Sequence, residues 1–358
     1  MNRTAMPDRE TMYQALVDRD PSYEGVFVVG VKTTGIFCRP TCGARKPKLE
    51  NTEYYADAKE ALAYGYRPCK ICRPMELYGE PPEWLRGILA EIDGDPSQRL
   101  RDVEIRERGV DPARVRRWFK KHHGMTFQAY LRSRRLNEAF GRIRHSGKVT
   151  DTAFGSGYDS LSGFNAAFKK AVGAAPSRSA DHCVVNVTRI LSPLGPLFAG
   201  AVDDGICLLE FTDRRMLETQ IKILQRRLGA TFMPGRSPHF AALDLQLSEY
   251  FAGKRTEFDL PLVLPGTDFQ KAAWTALQNI PYGAVRTYGE QAQAVGNPKA
   301  VRAVAKANGD NRIAVVVPCH RVIAADGTLA GYGGGLWRKK YLLDIEAGQQ
   351  PETPLLCP

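Results

Sequence analysis

The chain has no apolar stretch long enough to cross a bilayer, and its opening Met1-Asn2-Arg3-Thr4 lacks the apolar core of a secretory signal. It has no glycine-rich phosphate loop, no H-E-x-x-H and no Ser-His-Asp order, so nothing supports a nucleotide- or zinc-dependent hydrolase. Acidic residues are in deficit, 39 against 50 Lys and Arg, a formal charge of +11. The deficit is uneven: residues 1–180 hold 31 basic against 22 acidic residues, or +9, and residues 181–358 hold 19 against 17, or +2. A basic first half suggests a polyanionic partner. These absences lead us to expect a cytosolic protein. There, eight cysteines read as metal ligands or reactive thiols rather than disulfides. At 358 residues, 43% of them hydrophobic, the chain is a globular protein too long for one core, and two or three domains are expected.

Four cysteines fall early, Cys38 and Cys42 as C-x3-C, then Cys69 and Cys72 as C-x2-C. Two close pairs separated by a loop are what a tetrahedral four-thiolate zinc site requires, each pair chelating from one turn. The plain reading of such a site is a structural knuckle without chemistry. Pro74 and the turn Gly79-Glu80-Pro81-Pro82 then close this region.

From Trp84 to about residue 180 the pattern is helical, with no strand-like alternation. Two segments end alike, Val115 to Thr126 and Gly163 to Gly173, about 49 positions apart and each after a turn signal. Asp111 is a natural cap with Pro112 at the first helical position. Trp118, Phe119, Phe164 and Phe168 read as core, and Arg114, Arg117, Ser162 and Asn165 as the polar face. Two helix-turn-helix units are expected, the second helix of each suited to the major groove.

Residues 181–265 alternate strand and helix: Val184 to Val187, Pro196 to Val202, Ile206 to Phe211, then an amphipathic Met216 to Leu228. From Thr267 helices dominate. Phe269 to Leu277 is apolar at helical spacing, and Asn297-Pro298 is expected to cap a helix running to about Ala307. The β-branched run Ile313 to Val317, closed by Pro318, reads as a buried strand delivering Cys319 to its end. A thiol beside His320 there is a candidate nucleophile with a neighbouring base, although a Cys-His dipeptide alone is more often a buried cysteine beside a histidine.

Pro318-Cys319-His320-Arg321-Val322 resembles the signature of the O6-alkylguanine-DNA alkyltransferases. So do Thr287-Tyr288-Gly289-Glu290, Gly296-Asn297-Pro298-Lys299-Ala300-Val301-Arg302, Asn311, Gly331-Tyr332-Gly333-Gly334 and Leu342-Leu343-Asp344-Ile345-Glu346 at their spacings. Thr33 to Cys42 and Gly65 to Cys72 resemble the N-terminal domain of the Ada methylation-response family, and the two helix-turn-helix segments resemble the AraC-type DNA-binding domain. The resemblance implies a multidomain α+β chain. Its parts are a small zinc-binding α/β domain (1–78), an all-α AraC-type double helix-turn-helix domain (79–180), an α/β subdomain (181–265) and a helical, winged-helix-like alkyltransferase domain (266–358).

It further implies a single-turnover DNA repair methyltransferase that is also a methylation-responsive transcription regulator. Cys319 would accept alkyl groups from guanine O6 or thymine O4, with His320 as base through a water and Glu346 orienting it. Cys38 would accept methyl from DNA phosphotriesters while ligating one zinc ion with Cys42, Cys69 and Cys72. Thr34, Arg45, Arg67, Tyr288 and Arg302 would contact DNA, Arg302 filling the gap left by a flipped nucleotide. Tyr332 and Gly333 would wall the pocket, and Asn311 reads as a turn-stabilising residue beside it. No organic cofactor is implied. The partners would be alkylated and promoter duplexes and RNA polymerase, without a membrane, in the nucleoid-associated cytoplasm. The alternatives are a regulator with a structural zinc knuckle, or an alkyltransferase without regulatory activity. Cys183, Cys207 and Cys357 show no partner pattern.

Overall fold

The computed structural model describes residues 6–349 apart from 21, 22, 24, 25, 73, 76–80, 96 and 146; Gly79, Glu80 and Cys357 lie outside the described residues. The first element, α1 (Arg9–Asp18), is capped by Asp8, whose carboxylate accepts from Thr11 N at 2.9 Å. There follow β1 (Val28–Val31), β2 (Ile36–Cys38), β3 (Thr52–Tyr55), α2 (Ala58–Ala63) and β4 (Arg67–Pro68). They form a sheet of order β3-β1-β2-β4 in which β2 and β4 run parallel. That parallel pair brings the two cysteine pairs together: Cys69 N–H donates to Phe37 O at 3.0 Å, one residue from Cys38.

The middle of the chain is helical: α3 (Glu83–Gly94), α4 (Asp102–Glu107), α5 (Pro112–His123), α6 (Phe127–Arg144), α7 (Val149–Gly155) and α8 (Leu161–Val172). Asp111 caps α5 through Ala113 N at 2.9 Å, with Pro112 in its first turn. Both α5 and α8 stop at glycines in the left-handed region, Gly124 and Gly173, which is why the two segments end alike. Phe119, Phe164 and Phe168 are fully buried, and Trp118 is half-buried against the first cluster. Arg114, Arg117, Ser162 and Asn165 are exposed, and the Arg114 guanidinium lies over the Trp84 ring at 4.3 Å.

Next come β5 (Cys183–Ile190), β6 (Leu197–Val202), β7 (Gly205–Phe211), α9 (Leu217–Leu228), β8 (Ala230–Pro234) and α10 (Pro238–Phe251). The sheet order is β7-β6-β5-β8, antiparallel except for the β5·β8 pair; α9 carries the chain from β7 across to β8. The edge at β8 is not left to solvent. Helices α6 and α8 pack on it, and Val184 and Met233 share one core with Phe140, Phe164 and Phe168. Asn137 of α6 is buried there and donates to Asn186 Oδ1 at 2.7 Å and Pro234 O at 3.1 Å.

The last part holds α11 (Asp268–Gln278), β9 (Arg286–Thr287), α12 (Tyr288–Ala294), α13 (Val301–Gly309), β10 (Val322–Ile323) and α14 (Leu336–Glu346). Two expectations fail here. Asn297 and Pro298 do not cap α13: Ala300 N–H closes onto Asn297 O at 2.9 Å in a separate turn, and the helix begins at Val301. Nor is Ile313 to Val317 a strand. Only Ile313 bridges a strand neighbour, Leu209. Val316 N–H then donates to Ala314 O, and Cys319 N–H to Val317 O, both at 2.8 Å, in two three-residue turns. The run is apolar because it is buried, and burial alone does not select extended backbone.

The shared core predicts that the second helix-turn-helix unit and the β5·β8 edge unfold together. Phe168→Ala should destabilise by about 3–5 kcal/mol. Hydrogen exchange should then lose protection in α8 and β8 alike; a loss confined to α7 and α8 would show two independent cores.

Candidate active site and cysteine cluster

Cys319 sits on a single 3-10 turn, Cys319–Arg321, and is 9% exposed. The turn is preceded by Val315 at φ 70°, a conformation that a β-branched residue adopts only under constraint. Asn311 supplies part of that constraint. Its Nδ2 donates to Val317 O at 2.8 Å and to Cys319 Sγ at 3.1 Å, while its Oδ1 accepts from Ile313 N at 3.0 Å. Asn311 thus bonds both within the turn and to the sulfur. Burial pushes the Cys319 thiol up, and the Asn311 hydrogen bond opposes this by favouring the thiolate.

His320 is fully buried, and its Nε2 lies 2.8 Å from Glu346 Oε1. Its Nδ1 has no hydrogen-bond partner among the described residues. Glu346, at the end of α14, also accepts from Arg321 Nε and Nη2 at 2.8 and 2.9 Å, from Tyr250 Oη at 2.7 Å and from Gly283 N at 3.3 Å. Burial raises this carboxyl, but hydrogen bonds from His320 and Arg321 outweigh it and bring it to about 2. Desolvation lowers His320 and outweighs its carboxylate partner.

The Tyr332 ring meets His320 edge-on at 6.5 Å between centroids, and its buried hydroxyl has no partner among the described residues. Tyr288 Oη lies 3.2 and 3.3 Å from the carbonyls of Ala330 and Gly331, just before Tyr332. Cys319, His320, Glu346, Asn311, Tyr332, Gly333 and Tyr288 thus belong to one site, whereas Arg302 stands on the exposed face of α13. Tyr250 and Lys339 were not legible in the sequence. Tyr250 is called by nothing but its place on α10. Lys339 is buried with Nζ 2.5 and 2.6 Å from the carbonyls of Val322 and Ala330, and burial lowers it to about 8. Arg321 stood inside the motif without a role until its contact with Glu346 gave it one.

The second cluster lies at the end of β2. The sulfurs of Cys38, Cys42, Cys69 and Cys72 all fall within 4.8 Å of one another. Backbone N–H groups of Arg39, Ala44 and Ile71 approach Cys72, Cys42 and Cys69 Sγ at 3.3, 3.5 and 3.4 Å, the donors that thiolates call for. This set fits one tetrahedral zinc ion. Arg39 Nε on Cys72 O at 3.1 Å and Lys46 Nζ on Cys42 O at 2.8 Å add cations beside it that the spacing did not indicate. Thr34, Arg45 and Arg67 are exposed, Arg67 being held next to the cluster by its N–H to Gly35 O at 2.8 Å.

Four family models match in succession. They are the metal binding domain of Ada over residues 11–75, a helix-turn-helix domain over 106–181, and the ribonuclease-like and DNA binding domains of 6-O-methylguanine DNA methyltransferase over 187–264 and 268–348. The bifunctional transcriptional activator/DNA repair enzyme Ada of Escherichia coli is 34% identical over 94% of this chain and 95% of its own. The methylated-DNA--protein-cysteine methyltransferase of Mycobacterium tuberculosis is 48% identical over 47% of this chain and 96% of its own. Among solved structures, Mycobacterium tuberculosis OGT in complex with DNA is 43% identical, covering 49% of this chain and 98% of that one with a TM-score of 0.40. No helix of the described residues is long and apolar enough to cross a membrane.

The low position of Glu346 carries a pH consequence. A carboxyl held at about 2 in the folded chain, against 4.5 ordinarily, contributes stability that is present above about pH 4.5 and lost as pH falls toward about 2. Glu346→Gln should cost about 3–5 kcal/mol at neutral pH by leaving Arg321 buried without its counter-charge. Denaturant unfolding across pH should show that loss shrinking through this window; a loss constant with pH would contradict the assignment.

Proposed function

The chain belongs to the Ada family, and on that premise we propose that it is a single-turnover methylated-DNA-[protein]-cysteine S-methyltransferase that also regulates transcription in response to methylation. The observation that carries the repair half is a buried thiol with one donor on its sulfur, followed in the chain by a buried imidazole whose Nε2 lies 2.8 Å from the Glu346 carboxylate. That is the arrangement of nucleophile, base and orienter. We place the working units at 1–78, 79–180, 181–265 and 266–358.

In the repair reaction His320 Nδ1 takes the Cys319 proton through a bridging water, and Glu346 holds the resulting imidazolium. The sulfur attacks the alkyl carbon in line: an S–C bond forms as the bond from carbon to guanine O6, or thymine O4, breaks. The base departs with the bond's electron pair and is protonated, Tyr332 donating to the purine. Because that oxygen lies inside the stack, the nucleotide must leave the duplex, at a cost of a few kcal/mol. Arg302 fills the gap, Tyr288 helps turn the phosphate, and Tyr332 and Gly333 wall the pocket. The thioether is stable, so each cysteine acts once.

In the sensor reaction Cys38 Sγ takes the methyl of a phosphotriester, and the DNA phosphate regains its negative charge. Cys42, Cys69 and Cys72 hold a zinc ion with Cys38. Bound zinc keeps the sulfurs as thiolates at neutral pH. Methylation of Cys38 removes one negative charge from a surface where Thr34, Arg45 and Arg67 meet the backbone. Since phosphate contacts dominate affinity, the methylated chain binds promoter DNA more tightly. The two helix-turn-helix units read that DNA, RNA polymerase is the further partner, and the protein works in the nucleoid-associated cytoplasm.

Peptide mass spectrometry after incubation with methylated duplex should find one added methyl on each of the Cys38 and Cys319 peptides. Cys319→Ser should abolish only the second, and Cys38→Ser only the first together with the gain in promoter affinity. Methyl on Cys319 alone would reduce the cysteine cluster to a structural knuckle, and methyl on neither would leave a DNA-binding regulator.

A further inference from the structure

Besides Tyr250 on α10, the α/β subdomain meets the site at the end of β7. Leu209 N–H donates to Arg312 O at 2.8 Å, and Ala314 N–H donates to Leu209 O at 2.7 Å, so β7 grips the chain just before the strained Val315. One residue on, Glu210 is 1% exposed, and its Oε1 accepts from Phe211 N at 3.0 Å. Its Oε2 pairs with Arg214 Nη1, the arginine side chain being 7% exposed. This pair was not indicated by the sequence, and the proposed chemistry does not use it.

Arg214 does more than neutralise Glu210. Its Nη1 also donates to Asn311 O at 3.1 Å, and its Nη2 to Gly309 O, the last residue of α13, at 2.5 Å. The flat side of the guanidinium lies against Gly333: a Cβ there would fall 2.6 Å from Arg214 Cζ. One buried cation therefore touches the end of the helix that bears Arg302, the residue whose amide touches the sulfur, and the glycine of the pocket wall.

We propose that Arg214, held in place by Glu210, is a positioning residue for alkyl transfer, fixing Asn311 against Cys319 Sγ and the pocket glycine against the site. The inference rests on Cys319 being the acceptor. A guanidinium is suited to the task because its planar fork holds the Asn311 and Gly309 carbonyls and the Glu210 carboxylate from fixed directions, whereas an ammonium is a rotating point charge. Loss of the fork frees the Asn311 turn, and the sulfur loses both an aligned donor and a nearby positive charge. Both losses disfavour the thiolate. The other titratable groups facing Cys319 are Glu210 from β7, Lys339 from α14, Tyr332 from the pocket loop, Tyr288 from α12 and the adjoining His320. None of them replaces a donor on Asn311 O.

The test compares the full-length wild type with Arg214→Met and Arg214→Lys. Single-turnover methylation of Cys319 by a duplex carrying one O6-methylguanine is followed from pH 6 to 9.5, hydrogen-exchange protection of β7 and α14 in the same samples reports that the alkyltransferase part is folded, and methylation of Cys38 by phosphotriester DNA serves as an internal reference. Arg214→Met should slow Cys319 by about tenfold or more at neutral pH, with its rate-against-pH curve displaced to higher pH and Cys38 unaffected. Arg214→Lys keeps a cation beside Glu210 and so the fold, but puts a shorter-reaching point charge in place of the fork; it should show a smaller displacement in the same direction. Unchanged rates in both variants, or a fall equal at every pH in Arg214→Lys, would overturn the proposal. A wild type that never alkylates Cys319 would instead sink the repair reading itself.

Discussion

Glu346 is the point at which the catalytic part of this molecule is tied together. Its two oxygens accept from the 3-10 turn through His320 and Arg321, from α10 through Tyr250 and from the turn after α11 through Gly283. Three separately folded stretches thus converge on the end of α14. A carboxylate removed from water is tolerable only when its lone pairs are filled, and here each oxygen has at least two donors. The arrangement has a chemical by-product. Because Arg321 balances its charge, Glu346 is ionised without requiring His320 to be protonated, and the imidazole next to Cys319 is available as a base. The contacts that satisfy the buried carboxylate are thus the same ones that the proposed chemistry uses.

The strain lies on the other side of Cys319. Val315 in the left-handed region costs on the order of 1–3 kcal/mol, and it persists because its flanks are over-determined. Asn311 closes the turn from within, and Leu209 grips it from the sheet. The α/β subdomain, which contributes no reacting group, therefore sets the conformation of the reacting turn. This accounts for the packing of β7 against residues 312–314 and for the burial of an otherwise expensive Glu210.

Local signals were the legible ones. The cysteine pairs, the Asp111 cap and the buried aromatics of α5 and α8 could be assigned from the sequence because each depends on residues within a few positions. The strand expected over Ile313 to Val317 failed because a short β-branched run reports burial, and its backbone is decided by Asn311 and Leu209. The start of α13 was misplaced because a turn closing Ala300 onto Asn297 precedes the helix, and Pro298 suits either. Tyr250, Lys339, Glu210 and Arg214 were invisible for a different reason. Tyr250 acts on a carboxylate 96 positions away and Arg214 on a carbonyl 97 positions away, where no spacing rule reaches, and the nearer contacts of Glu210 and Lys339 carry no local sign that the charges are buried.

The packing of α6 and α8 on β8 bears on how repair and regulation are joined. A flexible tether would let the DNA-reading helices and the repair site search independently. Instead Val184 and Met233 lie in the same core as Phe164 and Phe168, Thr231 Oγ1 donates to Val172 O at 2.7 Å, and Asn137 Nδ2 donates to two groups of the sheet. Removing that contact would leave a buried amide without partners and an apolar sheet edge in water. For these reasons the second helix-turn-helix unit and the β5·β8 edge share one core rather than a tether.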